Sequence, residues 1–238
     1  MVLNIKRASS LDGATVNVQD VGGHTPFTSL PNGHLLKPCD EREIYFYQKM
    51  PKIIKSIAPK CCSTIQGSSV STFDDSCVNC RQHQLENVVI PESIEGSPIL
   101  NKRKLSKLCG MKCPPSDQHN QISINKYEGR EMGKLELFMA VRQFFNVSET
   151  VLEVVQKKLL IIRDVLSEAD GVRLFGASLL IVIESEPTDS TPTDNLVRIK
   201  VVDFANSTFD GFQGDNFYEG RDEGSILGLD TLLGIVQG

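Results

Sequence analysis

Val197-Arg198-Ile199-Lys200-Val201-Val202-Asp203-Phe204-Ala205-Asn206-Ser207 is apolar at every second position from Val197 to Val201, then delivers a carboxylate and a small polar turn. Alternation of this kind makes a strand with one buried face, and the end of that strand presents Asp203. A carboxylate in such a place has two physical uses. It closes a turn by bonding nearby backbone, or it offers hard oxygen ligands to Mg2+ beside a nucleotide phosphate. The surrounding chain has to decide between them.

Immediately upstream, Leu174 to Glu184 carries the near-continuous apolar run Ala177-Ser178-Leu179-Leu180-Ile181-Val182-Ile183, which predicts a strand inside a sheet. The polar segment Pro187 to Asp194 joins it to the opening strand, so the two form a hairpin with Asp203 at its far end. Downstream, Asp210 to Arg221 reads as a Gly- and Asp-rich loop, and a helix from about Glu223 places Ile226, Leu229, Leu233 and Val236 on one side. Further back, two helices are expected. One is striped by Leu135, Phe138, Met139 and Phe145; the other by Val151, Val155, Leu159, Ile162 and Leu166, capped by Ser148 or Thr150.

The first half is less periodic. Residues 1–14 are polar enough to be expected frayed and disordered. Thr15 to Val21 alternates like a strand and runs into Gly22-Gly23-His24, a tight turn or a close approach to a ligand. After the turn Pro31-Asn32-Gly33-His34, the short strand Leu35-Leu36-Lys37-Pro38 sets a lysine among apolar neighbours, either a solvated edge residue or a point charge for phosphates. A helix is predicted over Glu41 to Met50, with Ile44, Tyr47 and the stem of Lys49 packed and Glu43 near its first turn. Residues 63–80 look like a loop, Gln84 to Val89 like a strand, and 91–98, with Pro91, Gly96 and Pro98, like a hinge between two lobes. Beyond it, Ile99 to Lys107 is locally basic, as a solvated face or a site for a phosphate-bearing ligand. Leu108 to Lys112 and Ile122 to Lys126 read as short strands.

With 238 residues, 40% hydrophobic and 23% charged, the chain can bury a large core as one domain or two lobes. A net charge of −5 argues against broad nucleic-acid binding. The start lacks the apolar run of a signal peptide and the stretch Ala177 to Ile183 is too short to cross a bilayer, so an intracellular protein without a membrane span is expected. The odd set of 7 cysteines then reads as reduced thiols, with Cys61, Cys62, Cys77 and Cys80 as the one combination able to offer four thiolates to zinc. None of His24, His34, His83 and His119 stands out as a general base.

The ordered set Gly22-Gly23-His24, Leu36-Lys37-Pro38, Glu43-Ile44-Tyr45-Phe46-Tyr47, Leu85-Glu86-Asn87-Val88, Gly110-Met111, Ile124-Asn125-Lys126, Ala177-Ser178-Leu179-Leu180, Val202-Asp203-Phe204-Ala205 and Asp222-Glu223-Gly224-x-x-x-Gly228-Leu229 resembles the inositol polyphosphate kinases, and among them the fungal multikinases of the arginine-metabolism regulator type. The resemblance implies an α+β, two-lobed, kinase-like fold with a mainly antiparallel sheet in each lobe and ATP between the lobes: an N-lobe over 15–90, the hinge at 91–98 and a C-lobe over 99–238. It implies ATP and Mg2+ as cofactors, with Lys37 on the phosphates, the backbones of Glu86 and Val88 on adenine, and Asp203 on the metal.

Two departures bear on the acceptor. The family's Asp-x-Lys-x-Gly motif has as its counterpart Asn101-Lys102-Arg103-Lys104-Leu105, in which Asn101 still bonds a ribose hydroxyl and Arg103 keeps a charge in the catalytic position but with a different geometry. The segment after it is reduced to Ser106 to Cys109, and the His that usually follows Asp-Phe-Ala is Asn206. Lys102, Arg103, Lys104, Lys107 and Asn206 are then the acceptor-binding set. The resemblance therefore implies a kinase acting on soluble inositol polyphosphates in nucleus and cytoplasm. The alternative is a catalytically weakened nucleotide-binding regulator with transcription-regulatory protein partners.

Overall fold

The computed structural model describes residues 2–8, 28–29, 35–37, 40–66, 69–72, 108–113, 122–184 and 191–237. Its centre is a five-stranded sheet in the order β7-β6-β1-β8-β9, made of β1 (Val2–Ala8), β6 (Leu108–Cys113), β7 (Ile122–Ile124), β8 (Ser178–Glu184) and β9 (Val197–Val202). Among the described residues two small antiparallel ribbons complete the strands: β2 (Thr28–Ser29) with β3 (Leu35–Leu36), and β4 (Ser63–Gln66) with β5 (Ser69–Thr72).

The expected hairpin is present. β8 and β9 pair antiparallel with Leu179 opposite Val201, Ile181 opposite Ile199 and Ile183 opposite Val197. All of these side chains are buried, while Arg198 on the opposite face is exposed, so the alternation in the sequence is the alternation of a sheet with one covered face. The α+β class is as expected, and antiparallel pairing predominates, but the main sheet is mixed. The strand β1 lies parallel to both β6 and β8, with Ile5 opposite Met111 and Ile181.

That strand corrects the expectation of a frayed, disordered start over 1–14 for Val2–Ala8; the rest of that span lies outside the described residues. The partners of β1 sit more than a hundred residues away along the chain, so its pairing is invisible to any local pattern. The span 63–80, expected as a loop, likewise contains the β4–β5 ribbon, whose short Ser- and Thr-rich strands lack an apolar period.

Helices cover the apolar face. Among the described residues they are α1 (Glu41–Lys49), α2 (Lys52–Lys55), α3 (Lys126–Glu131), α4 (Lys134–Phe144), α5 (Glu149–Glu168) and α6 (Glu223–Gln237). The α5 stripe Val151, Val155, Leu159, Ile162 and Leu166 is buried as its spacing predicts, and so is the α6 stripe Ile226, Leu229, Leu233 and Val236. Ser148 stands at the α5 N-cap without a side-chain cap bond. In α4 the buried face is Ala140, Val141 and Phe144, whereas Leu135 and Met139 are 74% and 56% exposed, correcting the stripe assigned to them. Helix α3 has no counterpart in the sequence reading; an Asn125–Glu128 capping box starts it.

One continuous core joins α1 and α2 to the sheet. Phe46, Met50, Ile54 and Ile57 belong to the same cluster as Val201, Phe204 and Phe212. The backbone ties them too, since Val201 N donates to Ile57 O at 2.9 Å and Lys200 Nζ to Ser56 O at 3.0 Å. The buried face of α1 is therefore Glu43, Phe46 and Met50, while Ile44 and Tyr47 are half-buried and Lys49 is exposed, a rotation from the face expected. Phe46 drives that choice. It stacks on Phe204 at 4.9 Å between ring centroids and meets Phe209 and Phe212 edge-on at 5.6 Å each. Phe46→Ala is expected to cost about 3 to 5 kcal/mol and to lower Tm by roughly 10 °C in calorimetry.

Candidate active site

The turn after β9 carries the chemistry. Asp203 has a φ of 69°, in the left-handed region that Asp and Asn tolerate better than most side chains. Its carboxylate is 56% exposed. The turn folds back through Ser207 N donating to Phe204 O at 2.9 Å, while Phe204 is buried beneath it. A buried ring followed by a turn is thus what lifts Asp203 to the surface.

Helix α1 holds the turn from the other side. Asp40 caps it, its Oδ1 accepting from Glu43 N at 2.7 Å, and this fixes the first turn on which Arg42 and Glu43 sit. Glu43 is only 2% exposed. A carboxylate so buried requires partners, and it has them: Lys37 Nζ donates to Oε1 at 2.6 Å and to Oε2 at 2.7 Å, and Phe204 N donates to Oε1 at 3.2 Å. Lys37 Nζ also lies 3.4 Å from Asp203 Oδ1. Three residues far apart in the sequence, Lys37, Glu43 and Asp203, thereby form one connected group.

Lys37 and Asp203, which the resemblance assigns to phosphates and to the metal, thus lie side by side. Asn206, assigned to the acceptor, lies exposed on the same turn, its Nδ2 3.4 Å from where a Cβ at Gly176 would stand. Glu86, Val88, Asn101, Lys102, Arg103, Lys104 and Lys107 lie outside the described residues, as do Cys77, Cys80 and the four histidines. The contacts of Glu43 and Arg42 were missed, because an acidic and a basic residue in a first helical turn read as solvated charges.

Asp203 fits a divalent cation of the Mg2+ kind. It supplies a hard, accessible carboxylate, its side chain 56% exposed. Mg2+ is commonly held in that way, by one or two carboxylates plus substrate phosphates. The cluster also acts on a neighbour. Burial, and then the charge of Glu43, pushes the Cys61 thiol above its ordinary range.

Around the site the Asp210 to Arg221 loop and its junction with α6 are restrained at three places. Arg173 donates to Gly220 O at 2.8 Å and Glu219 O at 2.7 Å and lies over the Tyr218 ring at 5.2 Å. Asp222, buried at the head of α6, accepts from Leu174 N at 2.8 Å, Ser225 N at 3.0 Å and Ser225 Oγ at 2.9 Å, which gives the Asp222-Glu223-Gly224 motif a structural role. The third restraint is an ion pair. The hydrogen bond from Arg42 holds the Asp215 carboxyl below the usual carboxylate range. A depressed folded-state value stabilises above the unfolded value and is lost as pH falls through the folded one. The difference in Tm between the parent and Asp215→Asn should therefore be constant near neutrality and shrink progressively as pH falls below about 4 in a calorimetric pH series.

The chain is similar in sequence to known proteins. The model of the family described as inositol polyphosphate kinase matches residues 101–237. Inositol hexakisphosphate kinase 3 of Mus musculus is 28% identical over 146 residues, covering 55% of this chain and 37% of that protein, and its Homo sapiens counterpart is 25% identical over 155 residues. The chain thus spans 37% and 38% of the lengths of these relatives. The solved inositol phosphate multikinase Ipk2 of S. cerevisiae, in complex with ADP and Mn2+, is 26% identical, with 60% of each chain covered and a TM-score of 0.40. The family match takes in more than half of the chain, from the basic run through the Asp203 turn to the last helix, and by it the chain belongs to the inositol polyphosphate kinase family.

Proposed function

We propose that the chain is an ATP-dependent kinase that moves the γ-phosphate to a hydroxyl of a soluble inositol phosphate. The observation that carries this reading is the Lys37–Glu43–Asp203 cluster within a member of that family. Phosphoryl transfer asks a protein mainly for positioning and charge neutralisation. Lys37, held by both oxygens of Glu43, offers a fixed ammonium to the phosphates. Asp203 would hold the divalent ion, whose chemistry when bound is to offset charge on the β- and γ-phosphate oxygens.

The remaining assignments extend this scheme. ATP would lie between lobes spanning 15–90 and 99–238, hinged at 91–98, with the backbones of Glu86 and Val88 to hold adenine and Asn101 to hold ribose. Lys102, Arg103, Lys104 and Lys107 would supply the positive charge that an acceptor with several phosphates needs, Arg103 offsetting charge on the transferred group, and Asn206 would add an amide from the Asp203 turn.

The test is incubation of purified protein with Mg2+, labelled ATP and a panel of inositol phosphates differing in number and position of phosphates. Label entering an inositol phosphate supports the kinase, and the preferred acceptor defines its specificity. ATP binding without transfer to any acceptor would overturn it in favour of a nucleotide-binding regulator working through transcription-regulatory partners.

A further inference from the structure

Adjacent residues of α1 grip the Asp203 turn through opposite polarities of its backbone. Glu43 takes the donor, the N–H of Phe204, at 3.2 Å. Arg42 takes the acceptors, donating from Nε to Ala205 O at 3.1 Å and from Nη2 to Ser207 O at 3.0 Å. The same guanidinium pairs with Asp215, reaches Gln213 Oε1 at 3.4 Å and stands 4.6 Å from the centroid of Phe212. Only the planar fork of an arginine serves two carbonyls, a carboxylate and a ring face together; an ammonium cannot reproduce that arrangement.

We propose that Arg42 is a positioning residue that sets the Asp203 carboxylate against Lys37 by clamping the turn of residues 204–207 to helix α1. The left-handed backbone of Asp203 makes such a clamp necessary. A non-glycine residue at a φ of 69° persists only where its surroundings over-determine it. Glu43 and Arg42 do so immediately after it, and because they share one helical turn, their movement and that of Lys37's partner are the same movement. Arg42 acts only through Asp203 and Lys37. The catalytic consequence rests on the kinase reading above, while the clamp itself does not.

The test compares the parent with Arg42→Lys and Arg42→Gln, and with Arg163→Ala as a control that removes another arginine–carboxylate pair, Arg163 with Asp230. Hydrogen exchange at the amides of Phe204 and Ser207 reads the clamp directly, without any ligand. Both Arg42 variants should exchange there about tenfold faster or more, while the Leu174 amide keeps its parental protection and the control changes neither. Where transfer to an inositol phosphate is measurable, both variants should raise the Mg2+ concentration for half-maximal rate and lower kcat, with a much smaller change in KM for the acceptor. Lysine should not rescue. Parental exchange at Phe204 and Ser207, or full rescue by lysine, would overturn the proposal. A parent without transfer but with the exchange pattern intact would sink the kinase reading and leave the clamp standing.

Discussion

On the proposed kinase function, Asp203→Asn should abolish phosphoryl transfer while leaving the fold in place. Asparagine is nearly isosteric and is as tolerant as aspartate of the left-handed conformation, with a φ of 69°, that this position adopts, so the backbone has no reason to change. The side chain is largely exposed and its ion pair with Lys37 is long, at 3.4 Å, so the loss of charge should alter stability by less than about 1 kcal/mol. The chemistry is a different matter. A neutral amide is a poor ligand for a hard dication, and a fall in kcat of about a thousandfold or more follows. ATP should still shift the melting temperature through Lys37. The measurement is single-turnover transfer alongside thermal shift, with and without Mg2+. A variant with parental kcat would remove Asp203 from the mechanism, and one that fails to melt cooperatively would mean that its role is architectural.

Glu43→Gln should be nearly as damaging to activity and, unlike the Asp203 change, should also cost stability. Glu43 is buried and its two oxygens hold Lys37 at 2.6 and 2.7 Å. Glutamine retains an acceptor for the Phe204 amide but loses the charge that restrains the ammonium. Lys37 would then turn toward Asp203, already 3.4 Å away, and compete for the carboxylate proposed to hold the metal. Because Lys37 is 22% exposed, solvent offsets part of the loss, so the expected cost is about 1 to 3 kcal/mol rather than that of a fully buried pair. In kinetics the variant should lose about a hundredfold in kcat with a raised KM for ATP, the pattern of a misplaced phosphate-binding group. Glu43→Ala should be worse in stability, because the buried Phe204 N–H loses its acceptor as well. Denaturant titration with steady-state kinetics checks both variants. Parental kcat and KM in Glu43→Gln would show that Lys37 needs no restraint.

The elements that could be read from the chain share a property: their signal is local and repeated. The hairpin of β8 and β9, the stripe of α5 and the stripe of α6 each place apolar residues at the period of their own structure, and burial follows that period. Asp203 was legible for the same reason, because a strand that stops at a carboxylate puts it at the rim of a sheet. Lys37 was legible only through the order of family motifs around it. A lysine in a short apolar run has no local mark of function, and its partner Glu43 looks from sequence like an ordinary acidic residue in a first helical turn.

Where the sequence misled, the deciding forces were long-range. Val2–Ala8 is polar enough to pass for a frayed end, yet it becomes the middle strand of the sheet because segments a hundred or more residues away supply hydrogen bonds on both of its edges. Leu135 and Met139 suggested one face for their helix, and packing chose another, with Val141 and Phe144 inward. Helix α1 was turned by the aromatic cluster around Phe46, and that rotation delivers Glu43 to Lys37 and Arg42 to the Asp203 turn. The sequence by itself determined the helices and strands of strong period, the carboxylate at the end of β9 and the family. Only the tertiary structure decided which charged residues meet, since whether a buried charge is tolerated depends on partners that the folding of distant segments brings within hydrogen-bond reach.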